Sequence, residues 1–396
     1  MNSSANKARN TSSLKERLLG KTPLELETVA SAAGLPPFAA RQMAQWLYEK
    51  KVRSFSEMTN ISKAGREKLE ELFEIGYNAP AECLTSVDGT KKYLFLVQPA
   101  GPGTGAGSGP GTGFGTGPVT GSGSVRAGEA LQAVESVMIP DEDRRTLCVS
   151  SQAGCKMGCK FCMTGRGGFH GQLQVADILN QFIAIGEAAE LTNAVFMGMG
   201  EPMDNLDAVL RAIEVLTAPW GFGWSPKRIT VSTIGVIPAM RRFLDESRCH
   251  LAVSLHDPFP DERLGLMPVQ KAFPIREVID LLHHYDFSGQ RRVSFEYIMF
   301  AGLNDDKRHA DALVHLLSGL ECRVNLIRFH KIPDFPYGTS STPVMEAFRD
   351  RLSSHGITCT IRASRGEDIM AACGLLAGKA AAGDFSVRSM DDTAIN

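Results

Sequence analysis

Thr146-Leu147-Cys148-Val149-Ser150-Ser151-Gln152-Ala153-Gly154-Cys155-Lys156-Met157-Gly158-Cys159-Lys160-Phe161-Cys162 is the stretch that decides how the chain is read. Thr146–Ser150 has the make-up of a strand, and it runs straight into a Cys-x3-Cys-x2-Cys loop. A loop this short can wrap three thiolates around one face of an iron–sulfur cubane, and Gly158 permits the tight backbone path. Three ligands leave one iron open. A saturated cluster only passes electrons, whereas an open metal position can take a substrate, as in catalytic rather than structural zinc sites. Zinc is the competing occupant; it would need a fourth ligand, and His170 is the nearest local donor.

Downstream, strand-like runs alternate with amphipathic helical patterns. Strands are expected at Thr146–Ser150, Ala194–Met197, Ile229–Ser232, Leu251–Leu255, Val293–Ile298 and Val324–Phe329, with helices at Val175–Ala188, Leu206–Thr217, Ile237–Asp245, Ile275–Tyr285 and Asp306–Leu317. Six βα units predict an α/β fold, a partial (βα)6 TIM-like barrel with its site at the strand C-termini. Helix Val344–His355, strand Thr358–Arg362 and a closing helix over Asp368–Leu376 complete a core domain assigned to 141–377.

Upstream, Thr22-Pro23-Leu24-Glu25 reads as a capped helix start, and a helical pattern continues to about Ile75. A small helical accessory domain is therefore expected over 22–80, preceded by a disordered tail over 1–21. A small β extension follows over 81–140, with strands at Lys91–Val97 and Ala133–Ile139. Between those strands, 100–124 is almost wholly Gly, Pro, Thr, Ser and Ala, a composition that buries too little apolar surface to offset ordering. It is read as a flexible insertion without chemistry, and 378–396 as a flexible tail.

The 396 residues are 43% apolar with a net charge of −2, enough for a large core and no general bias toward nucleic acid. Local basic groups remain: Lys156, Lys160 and Arg166 around the cysteines, Arg323, Arg328 and Lys331, Arg362 and Arg365, and Lys50, Lys51, Arg53 and Lys63 in the helical domain. No run approaches the roughly 18 apolar residues of a membrane span, and Met1-Asn2-Ser3-Ser4 lacks the apolar centre of a secretory signal. The expectation is a cytoplasmic chain with no membrane partner. Of nine cysteines, six are scattered singly, unlike a disulfide framework.

Met197-Gly198-Met199-Gly200-Glu201-Pro202 follows the second strand; its glycines allow close backbone approach and Glu201 offers an acceptor for a charged donor. Ser232 and the Ser254-Leu255-His256 string end the third and fourth strands, at the barrel edge where functional residues collect. Singly, each serine would be an ordinary loop residue, Cys148 a strand core position and Cys373 a small buried residue.

Taken together, the loop and the βα array resemble the radical S-adenosylmethionine superfamily. That resemblance implies a [4Fe–4S] cluster on Cys155, Cys159 and Cys162 whose open iron chelates S-adenosylmethionine and reduces it to a 5′-deoxyadenosyl radical. Val134-Glu135-Ser136-Val137-Met138-Ile139-Pro140, Gly198-Met199-Gly200-Glu201-Pro202, Val324-Asn325-Leu326-Ile327 and Arg365-Gly366-Glu367-Asp368-Ile369-Met370-Ala371-Ala372-Cys373-Gly374 closely resemble the RlmN-type adenine-C2 RNA methyltransferases over roughly 22–378. By that resemblance Cys373 takes a methyl group from one S-adenosylmethionine, and a second molecule, two per turnover, activates it for addition to adenine C2. Glu135 accepts the C2 proton, and Cys148 resolves the protein–RNA adduct through a transient disulfide with Cys373. Gly200, Glu201, Ser232, Ser254, Leu255, His256 and His330 bind the cofactor. His330 stands where the family usually has Asn, and Asp257 where a small residue is commoner. The implied partners are 23S rRNA, tRNA and an electron donor such as flavodoxin or ferredoxin, with a monomeric chain. Two rival readings are a C8-adenine methyltransferase of the Cfr type and a non-catalytic metal-bound RNA-binding or redox-sensing protein.

Overall fold

A computed structural model describes residues 15–100 and 131–377. Ten strands form one sheet: β1 Glu82–Thr85, β2 Lys91–Val97, β3 Gln132–Asp141, β4 Arg144–Cys148, β5 Asn193–Phe196, β6 Ile229–Thr233, β7 His250–Ser254, β8 Val293–Met299, β9 Arg323–Arg328 and β10 Thr358–Ile361. Their spatial order follows the chain. β1 to β4 are an antiparallel meander, and from β4 to β10 every neighbour is parallel. The β extension is thus one edge of the barrel sheet, and β10 adds a seventh parallel strand.

Crossover helices cover one face: α4 Val175–Ile183, α5 Leu206–Thr217, α6 Ile237–Glu246, α8 Ile275–Leu282, α9 Lys307–Leu316 and α10 Thr342–Ser354, while the short α7 Pro260–Leu266 sits at the strand C-termini, where Leu266 O accepts from Lys160 N–H (3.0 Å). Strand residues pointing that way, such as Leu147, Phe196, Val231, Leu251, Phe295 and Leu326, are all buried and apolar. Paired residues share a face. The register therefore puts Glu135 and Val137 with Cys148, Cys148 with Val195, Ser232 with Ala252, Ser254 with Glu296 and Glu296 with Asn325 on the opposite face, which lines the half-barrel.

N-terminal to the sheet lie α1 Pro23–Ala32, α2 Ala39–Ala44 and α3 Lys63–Leu72. The expected capping box is present: Thr22 N–H donates to Glu25 Oε2 (2.6 Å) and Glu25 N–H to Thr22 Oγ1 (3.3 Å). These helices share one continuous apolar cluster with the barrel. Lys51, one of the basic groups of the helical domain, donates to Ala188 O (2.5 Å) and lies over the Phe222 ring.

Three expectations need correction or fall outside the described residues. The disordered tail does not extend to 21: Glu16–Arg17 pairs with Phe73–Glu74, Leu18 and Leu19 are buried, and Arg17 meets Asp177 on α4 at 2.5 Å. Residues 1–14, the insertion beyond Ala100 and the tail at 378–396 lie outside the described residues. The closing helix over Asp368–Leu376 is a series of turns. Its apolar spacing suits a helix, but Gly366 (φ 63°), Met370 (φ 52°) and Gly374 (φ 84°) take left-handed conformations that no α-helix accommodates.

Candidate functional site

The cysteine loop leaves β4 through a short hairpin, Gln152–Gly154 paired with Phe169–Gln172. Gly158 has φ 65°, the conformation expected of a tight turn between ligands, and Cys155 N–H donates to Gly168 O at 2.8 Å. Burial and the neighbouring acids and thiols push the Cys155 thiol up to about 12 and Cys159 well above its ordinary value. Buried thiols with no metal among them behave this way, and a bound metal reverses it. Among the described residues, the group whose ligand atoms gather within 4.8 Å is Asp257, Glu262 and His309, not the cysteines. A single zinc would draw its sulfurs to about 3.8 Å of one another, from Zn–S near 2.3 Å. The wider thiol spacing fits a multi-iron hub.

Arg263, fully buried, lies beneath this loop, and sequence reasoning missed it. Its guanidinium donates to Leu255 O, Ile234 O and Ser254 O (each 3.0 Å) and to Gln270 Oε1 (2.7 Å), tying together the ends of β6 and β7. Burial lowers it to about 10, so it stays charged at neutral pH, and its charge opposes the rise at Cys159. His256, with φ 58°, is also buried; its Nδ1 accepts from Ile298 N–H (3.0 Å) and its ring meets Phe161 edge-on at 4.9 Å. Burial holds it down to about 3, hence neutral. The ring braces the cysteine loop.

Gly200 cannot carry a side chain: at φ 100°, a Cβ there would stand 2.5 Å from Gln152 Cβ. Glu201 is buried and aimed by the backbone, accepting from Met203 N–H (3.1 Å) and Ile234 N–H (3.0 Å), while its own N–H donates to Gln152 Oε1 (2.8 Å). Burial raises its carboxyl to about 7. A cationic amine brought beside it would restore the carboxylate. Ser232 and Ser254, on neighbouring strands, stay partly accessible on the barrel-lining face, whereas Leu255 is fully buried. Glu296, also missed, is buried with Oε1 bonded to Asn325 (2.8 Å) and Ser294 (3.0 Å) and Oε2 without a partner, facing the same space. A lone acid in the apolar run Val293–Met299 was its signal.

Cys373 is brought in by the closing turns. Met163 N–H donates to Gly374 O (2.8 Å) and Thr164 Oγ1 to Leu376 O (2.5 Å), so the segment lies on the cysteine loop. Cys373 is solvent-accessible yet crowded enough to raise its thiol, with Glu296 and Cys162 adding to the rise and Arg362 opposing it. Burial raises Cys148 too, and Cys373 contributes to that rise. Cys373 therefore lies within electrostatic reach of both Cys162 and Cys148. Glu135 is buried; Oε1 pairs with Lys92 (3.0 Å) and Oε2 accepts from Ala377 N–H (2.9 Å), at the end of the same segment. His330 instead faces the closing turns, with Nδ1 2.5 Å from Glu367 Oε1 and Nε2 3.3 Å from Ser364 Oγ, beside a cavity of about 400 Å³.

Residues 149–313 match the radical SAM superfamily and residues 17–75 the ribosomal RNA large subunit methyltransferase N-terminal domain. A probable dual-specificity RNA methyltransferase RlmN of Porphyromonas gingivalis is 58% identical over 91% of this chain and 96% of its own length. The dual-specificity RNA methyltransferase RlmN of Syntrophus aciditrophicus is 38% identical over 90% and 94%. A crystal structure of a radical SAM methyltransferase from Sphaerobacter thermophilus superposes with a TM-score of 0.80 at 35% identity, covering 92% of this chain and all of that one.

Proposed function

The chain belongs to the RlmN family of radical S-adenosylmethionine RNA methyltransferases, and from that premise we propose how its own residues carry out methylation of adenosine C2 in 23S rRNA and in tRNA. The family uses a [4Fe–4S] cluster and S-adenosylmethionine, which together supply the hydrogen-abstracting radical chemistry. Cys155, Cys159 and Cys162 hold the cluster, with the Arg263 cation balancing their charge. Gly200 and Glu201 receive the amino-acid end of S-adenosylmethionine, and Ser232, Ser254, Leu255 and His256 shape the pocket at the strand ends, while His330, bound to Glu367 and Ser364, would reach the cofactor only through the closing turns.

C2 of adenine is electrophilic, so it cannot attack a sulfonium as a nucleophile would. A methyl group parked on Cys373 sidesteps that obstacle. The Cys373 thiol would lose its proton and take the methyl group by displacement; that S-methyl group would then give up one hydrogen atom to the radical chemistry the cofactor supplies, and its carbon would bond to C2 as a methylene bridge. Glu135, held by Lys92 and the Ala377 amide, accepts the C2 proton. Cys148 then attacks the Cys373 sulfur, releasing methylated RNA and leaving a disulfide that an external reductant must reopen. The observation supporting this reading is that the Cys373 segment is bonded both to the cysteine loop, through Met163 N–H to Gly374 O (2.8 Å), and to the proton acceptor, through Ala377 N–H to Glu135 Oε2 (2.9 Å).

An adenine edge must leave its stack to be reached, so the target lies in a loop or is splayed out. We further place the enzyme in the cytoplasm as a monomer supplied by a flavodoxin- or ferredoxin-type donor; no helix among the described residues is long and apolar enough to cross a membrane. Nucleoside mass spectrometry of rRNA and tRNA from cells with and without the gene, against C2- and C8-methyladenosine standards, tests the reading. Loss of 2-methyladenosine alone is expected. Loss of the C8 product, or no change, would overturn it.

A further inference from the structure

We propose that Asp257, Glu262 and His309 form a second metal site that holds one zinc-class divalent cation, apart from the cysteine loop. One oxygen of each acid and a ring nitrogen of His309 lie within 4.8 Å of one another. His309 Nε2 is 2.9 Å from Glu262 Oε2 and 3.8 Å from Asp257 Oδ2. Tetrahedral zinc with ligands near 2.1 Å would space these atoms about 3.4 Å apart, between the two observed values.

The orienting partner is already in place. His309 Nδ1 lies 2.7 Å from Asp306 Oδ1, and since a carboxylate only accepts, Nδ1 carries a proton there. That is the carboxylate–histidine arrangement that points a bare Nε2 at a metal. Without an ion, Nε2 needs a second proton to face Glu262. Even then one N–H cannot also satisfy Asp257, whose Oδ2 is wholly buried and has no hydrogen-bond partner, while Oδ1 accepts from Phe259 N–H at 2.8 Å. An unmade bond on a buried carboxylate is costly, and a cation is the occupant that serves both acids and the ring at once. Arg308 takes the other oxygen of Glu262 at 2.6 Å, so the three acids Asp257, Glu262 and Asp306, offset by that one cation and with His309 neutral, leave two negative charges facing a doubly charged ion.

The site joins the segment after β7 to α7 and α9, immediately beyond Ser254-Leu255-His256. Glu262 also lines a cavity of about 640 Å³ with Gly158, Lys160, Arg166 and Tyr337, which offers the ion a way in. The ion would act as a staple that fixes the strand end presented to the cofactor.

The test uses the full-length protein purified without oxygen, its iron cluster intact, so that the cysteines are filled. After dialysis against a mild chelator it is titrated with zinc chloride, and zinc and iron are counted by elemental analysis. One zinc per chain and a raised Tm are expected, with binding weakened at least tenfold in Asp257→Asn and His309→Gln at unchanged iron content. Glu262→Gln, whose side chain is 30% exposed, keeps the test open should either buried variant fail to fold. Zinc binding no tighter in the wild type than in these variants, or no zinc bound, would overturn the site and leave the methyltransferase reading untouched.

Discussion

Arg263 shows how much one buried side chain can organise. It neutralises no acid in a surface pair; it fills carbonyl acceptors at two strand ends and lends charge to the thiol of Cys159. Removing it takes the guanidinium donors from Ile234 O and Ser254 O, while Leu255 O keeps only the Asp257 N–H (2.7 Å), a loss that costs about 3 kcal/mol. Arg263→Met should therefore lower the urea midpoint markedly and reduce iron retention on anaerobic gel filtration; a variant with wild-type midpoint and iron content would contradict its role. Arg263 was not legible in advance, because a charged residue in Pro260–Leu266 next to two acids reads as helix surface; Glu296 left one signal, a lone acid in an apolar strand. The three cysteines were legible, since a loop that short has few other uses.

At the scale of elements, the closing turns depend on the hairpin tip between β1 and β2. Ser86 Oγ donates to Asp368 (2.5 Å), Val87 N–H to Asp368 (3.2 Å), and Gly366 N–H to Asp88 Oδ2 (3.0 Å). The Arg365–Gly374 string thus encodes a clasp, where apolar periodicity alone suggested a helix. Although burial opposes it, donation from the Thr90 and Gly366 amides holds the Asp88 carboxyl down to about 2. A depressed acid stabilises the fold above its unfolded value near 3.8 and loses that contribution as pH falls toward 2. Asp88→Asn should flatten the acid-unfolding curve in that window and cost about 1 kcal/mol at neutral pH, read by circular dichroism; an unchanged acid limb would count against the clasp.

The insertion belongs to the same scale. Val97 pairs with Gln132, so the chain leaves and re-enters adjacent strands. Replacing 101–130 by a four-residue Gly-rich turn should leave methylation within about twofold in an RNA assay, as short hairpin connections suffice for paired strands. A large loss would give that segment a function its composition does not suggest.

Across the whole molecule, one sheet separates two environments. Its outer face is apolar beneath helices, and its inner face collects Glu135, Cys148, Ser232, Ser254, Glu296 and Asn325. Period-two alternation made the strands readable, and Lys91–Val97 matches its expected bounds. What alternation could not reveal was how 365–377 folds back over the barrel mouth, because that path rests on left-handed residues and side chains distant in sequence. Family resemblance, rather than spacing, singled out Cys148 and Cys373 as a pair.

That pairing is tested most directly by mass spectrometry of the Cys148→Ala protein purified from cells and digested with nuclease and protease. The peptide containing Cys373 should carry an adenine nucleotide joined through a methylene group. An unmodified Cys373 alongside normally methylated RNA would contradict the account.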